Sequence, residues 1–303
     1  MWARRRGTVV SIGIIKVNRS ESSFSVQADG VSLVTNASAR DAARLRMIVP
    51  HWFRVLGDEI GEVSVLLDSR LPEGRIGRLQ KDGSSLEDVA GVLNELASTY
   101  KKLRWQLLDY STLEPVSGIW WRNGMPLRCQ DGTPVFAFAA SVLAARCRYV
   151  LRVDCDMLFL NRGWVQEALK KLQAGQADII SPPRLGSSPT RFSSRAAMFD
   201  WPVFRARFLP MRAARLDVLR RMHRMLHGRP TYLSYEESII KLIKRREIRH
   251  LILPEAFGCS LHVAKATDPA LPDFHNVVGE WEQSNIPAAQ LEAGWEFGWS
   301  HWV

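Results

Sequence analysis

The sequence predicts an α/β fold in which a mostly parallel sheet carries helices on both faces. Short apolar segments alternate with amphipathic ones, short loops join them, and several apolar segments end on a carboxylate. Alternation of this kind is typical of a parallel sheet with crossover helices. In such sheets, ligands bind beyond the carboxyl ends of the strands.

The elements follow one another from Val31 onward. Apolar runs predict strands, and these runs cover residues 31–35, 62–68, 105–109, 149–153, 178–180 and 249–253. Amphipathic runs predict helices at 39–56, 86–102, from Pro134 onward, 163–174 and 235–246. Four of these helices are the next predicted element after a strand, so the pattern predicts repeated strand–helix units.

Changes in composition along the chain divide it into three parts. We expect an N-terminal arm or strand at residues 1–29, a catalytic domain at residues 30–265 and a Trp-rich C-terminal extension at residues 266–303. An Arg-rich segment at 191–230 interrupts the alternation of strands and helices, and we interpret it as an insertion in the domain.

The composition of the 303 residues, 46% hydrophobic and 24% charged, is that of an ordinary globular protein. Its apolar runs are too short to cross a bilayer, and the basic N-terminus is not followed by a signal-peptide pattern. The four cysteines form no CxxC pair, which speaks against a zinc ribbon or a disulfide framework. We therefore expect a cytoplasmic protein, with a peripheral position at the inner face of the membrane as a further expectation.

The strongest chemical signal is Asp154-Cys155-Asp156, which directly follows the apolar strand 149–153. Asp-x-Asp at a strand end places two carboxylates at the edge where ligands bind. Hard divalent cations such as Mn²⁺ or Mg²⁺ prefer carboxylate oxygens and leave positions for substrate phosphates. The pattern predicts a metal and diphosphate site, and two loop acids that cap a helix or meet arginines are the plain alternative.

With these residues, the chain resembles the GT-A-fold glycosyltransferases, particularly those similar to family 2, over about residues 30–265. The resemblance implies that Asp156 ligates the metal and that Asp154 reaches the ribose or a metal-bound water. It also implies that Glu236-Glu237 stands for the family's Glu-Asp pair, with Glu237 as general base, and that His262 completes the metal site. Glu237 is Asp in the family, and Asp68-Ser69-Arg70 replaces an acidic pair followed by Gly-Ser.

Polar residues at the other predicted strand ends are candidate nucleotide contacts. Thr35 and Asn36 lie at the end of the first strand, Asp68 and Asp109 end the second and third, and Asp131 lies in a Gly-containing turn. Each of them is also a common turn former or helix cap. The expected partners are a nucleotide-sugar donor and a hydroxyl acceptor, which could be a glycan or a lipid-linked saccharide.

The Arg-rich segment 191–230 contains ten arginines and two aspartates, a net charge of +8 out of +10 for the whole chain. Aromatic and aliphatic residues are interleaved with the arginines. This pattern fits an anionic membrane surface, an anionic acceptor or non-specific nucleic-acid binding, and a solvated helical face is the plain alternative. The interleaved apolar residues favour the first two, so we do not expect nucleic acid as a partner.

Two other functions are compatible with parts of this pattern. A nucleotidyltransferase of similar fold would also place metal and nucleotide at Asp156, but residues 36–39 lack the glycines of a triphosphate-binding loop. A non-enzymatic basic protein that binds membranes or nucleic acid would leave Asp154 and Asp156 with structural roles. A response to nucleoside diphosphate and metal separates the transferase from the binding protein.

Overall fold

The computed structural model describes residues 28–70, 83–108, 135–159, 163–182, 192, 194–208, 218–227, 235–253 and 260–262. Nine strands lie in these ranges: β1 Ala28–Ser38, β2 Glu62–Asp68, β3 Leu103–Leu108, β4 Cys147–Val153, β5 Met157–Phe159, β6 Ile179–Ser181, β7 Ala196–Asp200, β8 His250–Ile252 and β9 Ser260–His262. The helices in the same ranges are α1 Ala42–Leu56, α2 Leu86–Thr99, α3 Val135–Leu143, α4 Gly163–Gln173, α5 Trp201–Phe208, α6 Val218–Leu226 and α7 Tyr235–Lys244.

Seven of these strands form one sheet in the order β3-β2-β1-β4-β7-β6-β8. β1 pairs in parallel with β2 and β4, β2 with β3, and β6 with β8, whereas β7 is antiparallel to both β4 and β6. Six strands therefore run in one direction, and their carboxyl ends share one edge. The predicted fold class, a mostly parallel sheet with helices on both faces, is confirmed.

Two hydrophobic clusters hold the helices against the two faces of the sheet. On one face, α1, α2 and α4 pack on side chains such as Leu33 and Leu151. On the other, α3, α5 and α7 pack on side chains such as Val34 and Phe199. Leu33 and Val34 are neighbours in β1, so the alternation of a strand supplies both clusters from one run of sequence.

Local sequence explains why two of these helices form where they do. In α1 the buried residues recur every three or four positions, so they make one apolar stripe: Leu45, Ile48, Val49, Trp52 and Leu56. α2 begins with a capping box, in which the Ser85 side chain accepts from the Asp88 N–H and the Asp88 side chain accepts from the Ser85 N–H. Both features are legible without the fold.

The first part of the Arg-rich segment is not an interruption of the sheet. Residues 196–200 form β7, which lies between β4 and β6 and is buried at all five positions. The expectation that 191–230 interrupts the alternation is therefore wrong for this part, because an apolar run between arginines has become a central strand. β5 and β9, which pair with each other outside the main sheet, were also not predicted.

Several expectations concern residues outside the described ranges. These include nearly all of the N-terminal arm and the whole Trp-rich extension 266–303, together with Asp109 and Asp131. Within the described ranges, none of the helices combines the length and apolar character needed to cross a bilayer.

Candidate functional site

The candidate site is the crevice at the carboxyl ends of β1 and β4. The chain adds β2 and then β3 on one side of β1, and it then places β4 on the other side. The loops after β1 and β4 consequently leave the sheet on different sides of the crevice between these strands, which is where ligands bind in sheets of this kind. Asn36, near the end of β1, and Asp154, directly after β4, flank this crevice.

Arg152, the penultimate residue of β4, is buried, with only 4% of its surface exposed. Its Nη2 donates to Asn36 Oδ1 at 2.6 Å, and its Nη1 donates to the Ser194 carbonyl at 2.9 Å and to Asp154 Oδ1. The guanidinium carbon lies 4.8 Å from the centroid of the Phe138 ring. The cation therefore joins β1, the Asp-x-Asp loop and the segment before β7.

Glu236 joins the same network from α7. Its Oε2 accepts from the Ser194 N–H at 2.8 Å and from the Ser194 hydroxyl at 2.9 Å. Ser194 in turn gives its carbonyl oxygen to Arg152. The structure thus brings three predicted site residues, Asn36, Asp154 and Glu236, into one hydrogen-bonded set around an arginine that was not predicted.

A second arginine approaches the Asp-x-Asp loop from α1. Arg44 Nη1 donates to Asp41 Oδ1 at 2.5 Å and lies 3.8 Å from the Cys155 sulfur. Asp41 also accepts from the N–H and hydroxyl of Ser38, at 2.8 and 2.9 Å, so the group is tied to the end of β1. Burial alone would lower the pKa of Arg44, but Asp41, Cys155 and Asp156 together raise that pKa above its ordinary value. Arg44 therefore places a permanent positive charge beside Asp156.

The thiol of Cys155, which lies between the two acids in the sequence, is expected to be unreactive in these surroundings. Desolvation of its thiol and the charges of Asp41 and Asp156 raise its pKa, although Arg44 acts in the opposite direction. In the absence of a metal, the thiol is therefore protonated at neutral pH, and a protonated thiol is a poor nucleophile.

Helix α1 also fixes the strand that follows the two acids. Trp52 Nε1 donates to the Met157 carbonyl at 2.8 Å, and His51 Nε2 accepts from the Phe159 N–H at 2.9 Å. Both side chains are fully buried. Burial and the charge of Arg54 lower the pKa of His51 to about 3, so its ring is neutral and able to accept this bond. β5 is consequently held in place directly after Asp156.

The register of β5 and β9 bears on the two predicted metal ligands. Met157 pairs with His262 in this antiparallel ladder. The backbone of His262 therefore lies across from the residue next to Asp156, although the two are more than a hundred positions apart in the sequence. Within the described residues, no group of three His, Cys, Asp or Glu side chains suited to a metal is found.

The remaining predicted site residues lie in different settings. Asp68 is buried at the end of β2, where its Oδ1 accepts from the Arg70 N–H at 2.9 Å and its backbone pairs with Ser38. Thr35 is fully buried, so its side chain offers no surface to a ligand in this conformation. Glu237 is half-buried in the first turn of α7. Asp109 and Asp131 lie outside the described residues, and their roles stay predictions.

Sequence reasoning missed Arg152, Arg44, Ser194 and His51. Arg152 left a legible signal: it is a charged residue inside a strand whose other residues from 149 to 153 are apolar, two positions before Asp154. Residues two apart in a strand point to the same side, so this arginine could have been paired with Asp154. Ser194 left no comparable signal, because its role depends on contacts 42 residues away in the chain.

No protein-family model matches the chain, and no curated protein matches it. Among solved structures it is similar to the galactosyltransferase LgtC in complex with donor and acceptor sugar analogues, with 14% identity, 86% of this chain and 99% of that chain covered, and a TM-score of 0.45. It is also similar to the mannosyltransferase PcManGT from Pyrobaculum calidifontis in complex with GDP-Man and Mn²⁺, with 13% identity, 76% and 56% covered, and a TM-score of 0.45.

A third similar structure is a 4-diphosphocytidyl-2C-methyl-D-erythritol synthase from Anaerococcus prevotii, with 10% identity, 83% and 99% covered, and a TM-score of 0.46. Glycosyltransferases are therefore among the solved structures to which the chain is similar. At these identities and TM-scores the likeness assigns no function to this chain.

The lowered pKa of His51 predicts a pH-dependent stability that His51→Gln removes. The unfolded state binds a proton near pH 6.5 and the folded state only near pH 3, so the stabilisation is complete above pH 6.5 and is lost as the pH falls toward 3. One such group changes the free energy of unfolding by about 1.4 kcal/mol per pH unit in this window. Gln keeps the acceptor for Phe159 but does not titrate.

Urea unfolding at neutral pH and at about pH 5 measures the free energy of unfolding of both proteins. Between these two pH values, the native protein should lose about 2 kcal/mol more of this free energy than His51→Gln. Other groups, such as His250, titrate in both proteins and cancel. Parallel stability curves for the two proteins would contradict the assigned role of His51.

The Arg152 network predicts strong coupling between Arg152 and Asp154. Arg152→Met leaves the Asp154 carboxylate and the Ser194 and Asn36 acceptors without their donor, and we expect the free energy of unfolding to fall by about 3 kcal/mol. Asp154→Asn should therefore cost less in the Arg152→Met background than in the native protein. A double-mutant cycle by urea unfolding checks this, and additive losses would mean that the two side chains do not form a pair.

Proposed function

We propose that the chain is a metal-dependent glycosyltransferase that moves a sugar from a nucleoside-diphosphate donor to a hydroxyl acceptor. The observation that supports it most is the position of Asp154 and Asp156 directly after β4, at the crevice beside β1. Asp154 is bound to Arg152 yet 33% of its side chain remains exposed. An acid that is both fixed and accessible is suited to contact a ligand.

The proposal assigns a divalent cation such as Mn²⁺ or Mg²⁺ to this position. Asp156 supplies carboxylate oxygens, and the β5–β9 register places His262 at a neighbouring backbone position. Both residue types ligate such ions, carboxylates more commonly. When bound, the cation neutralises charge on the leaving diphosphate.

The protein groups around the cation have separate tasks in this proposal. Arg152 fixes the Asp154 carboxylate, which would contact the ribose of the donor, and Asn36 is fixed at the same crevice by its bond to Arg152. Arg44 adds positive charge beside Asp156, which favours an anionic diphosphate at this end of the sheet. The side chains proposed to contact the donor are therefore held in position before the donor binds.

Glu237 is the proposed general base, and Glu236 is a positioning residue. Glu236 already accepts two hydrogen bonds from Ser194, which fixes the first turn of α7 at the crevice. Glu237 lies in the same first turn of α7, where acidic side chains interact favourably with the helix dipole. In the reaction, the acceptor oxygen bonds to the anomeric carbon as the bond to the diphosphate oxygen breaks, and Glu237 takes the hydroxyl proton. Direct displacement of this kind inverts the anomeric configuration.

The metal site is tested with Asp156→Ala. We expect diphosphate release from a panel of nucleotide sugars to fall at least about 100-fold, because the change removes charge stabilisation of several kcal/mol. The native protein should also gain thermal stability from a nucleoside diphosphate only when Mn²⁺ is present, and the variant should lose this gain. Asp58→Asn, a change at an exposed acid after α1, is the matched control.

The outcomes separate the candidate functions. Equal diphosphate release by native protein and Asp156→Ala would refute the assignment of Asp156. Release of pyrophosphate from a nucleoside triphosphate and a sugar phosphate, without turnover of any nucleotide sugar, would favour a nucleotidyltransferase. No thermal response to any nucleotide would favour a binding protein without enzymatic activity.

The two glutamates are distinguished by Glu237→Gln and Glu236→Gln. Glu237→Gln should lower kcat by about 10² to 10⁴ while the donor-induced thermal shift persists, because only proton transfer is lost. Glu236→Gln weakens charge-assisted bonds from Ser194 and should lower the free energy of unfolding by about 1–3 kcal/mol. If Glu237→Gln retained full kcat, the base would have to be another group.

A further inference from the structure

Helix α6 carries an exposed apolar face that belongs to neither hydrophobic cluster of the sheet. Five of its residues are between 56% and 82% exposed: Val218, Leu219, Met222, Met225 and Leu226. These are the exposed large hydrophobic side chains recorded in the described part of the chain. A contiguous apolar surface of this kind on a soluble protein usually marks an interaction site.

The order of residues along α6 separates apolar from basic positions. At 100° per residue, the five apolar positions fall within an arc of about 120°. The other positions of the helix are Arg220, Arg221, His223 and Arg224, and the helix contains no acid. The basic positions occupy the rest of the circumference, with Arg221 and His223 on the two flanks of the apolar arc.

We propose that α6 is a membrane-docking helix that lies in the surface of an anionic lipid bilayer. Its apolar arc would enter the boundary between headgroups and acyl chains, and its basic face, with Arg221 on one flank, would meet lipid phosphates. The charge of the surrounding segment is complementary to such a surface, since residues 191–230 carry +8 of the net charge of +10. This surface lies outside the transfer site and does not depend on the transfer reaction.

The same observations argue against the other occupants. A nucleic acid would pair with the arginines but would leave the five apolar side chains in water, because phosphates offer them nothing to pack against. A second copy of this chain would cover the apolar arc but would bring a second set of arginines close to the first, which like-charge repulsion opposes. A bilayer that contains anionic lipid matches both faces of the helix at once.

The test is flotation of the full chain with phosphatidylcholine vesicles, with and without phosphatidylglycerol, at low salt. We expect retention by the anionic vesicles and little by the neutral ones. Arg220→Gln with Arg221→Gln and Arg224→Gln should weaken retention about 100-fold, because each basic residue near the surface accounts for about fivefold. Leu219→Ser with Met222→Ser and Leu226→Ser should also abolish retention without lowering the thermal stability, since these side chains are exposed.

The matched control is Arg54→Gln with Lys101→Gln and Lys170→Gln, three exposed cations outside the segment 191–230. This variant has the same net charge as the triple arginine variant and should be retained like the native protein. With a soluble acceptor, all three variants should still release diphosphate from the nucleotide-sugar donor. Loss of vesicle binding can therefore be told apart from failure of the proposed transfer activity.

Four results would overturn the proposal. The first is equal retention of the protein by neutral and anionic vesicles, and the second is retention by anionic vesicles that survives the three serine substitutions. The third is binding to duplex DNA in preference to anionic vesicles. The fourth is a protein that binds no vesicles and that the serine substitutions convert from a dimer to a monomer. The last result would assign the apolar arc to a second copy of the chain.

Discussion

The geometry of this crevice depends on the hydrogen bonds of the buried Arg152 guanidinium. A charge with so little exposure is tolerated only when oxygens surround it, and here they come from Asn36, Asp154 and Ser194. These three residues belong to different parts of the chain, so one cation fixes the end of β1, the loop after β4 and the approach to β7. The planar fork of an arginine can bind several acceptors in fixed directions, which a lysine cannot do.

The Asp-x-Asp loop is consequently constrained from two sides. Arg152 binds its first acid from the sheet, while Arg44, His51 and Trp52 of α1 hold its middle residue and the strand after it. Binding groups that are fixed in advance lose little entropy when a ligand arrives. The arrangement also gives the two acids different surroundings: Asp154 is engaged by Arg152, and Asp156 lies next to the strand that pairs with β9. Two chemically identical side chains can thus take different tasks.

Much of the fold was predictable because it is recorded in local patterns. The strand at 62–68 was predicted with the observed bounds, and α1, α2, α4 and α7 were predicted to within a few residues, since their apolar positions repeat with a helical period. β7 was missed because its charged neighbours, Arg195 and Arg205, drew the interpretation toward a surface segment. The acids of the candidate site were predicted from their position at a strand end. The residues that hold them were not, because the bonds of Arg152 to Asn36 and Ser194 span 116 and 42 positions.

The hydrogen bonds between Ser194 and Glu236 also connect the crevice to the basic helix. They close the chain between positions 194 and 236 into a loop, and α6 lies within that loop. Both ends of the loop are fixed at the crevice, one through Arg152 and the other through the first turn of α7, which carries Glu237. A surface bound by α6 is therefore tethered to the proposed base through two chain segments rather than one. If the acceptor is lipid-linked, docking of α6 would concentrate it near Glu237, and a soluble acceptor would gain nothing from the same docking.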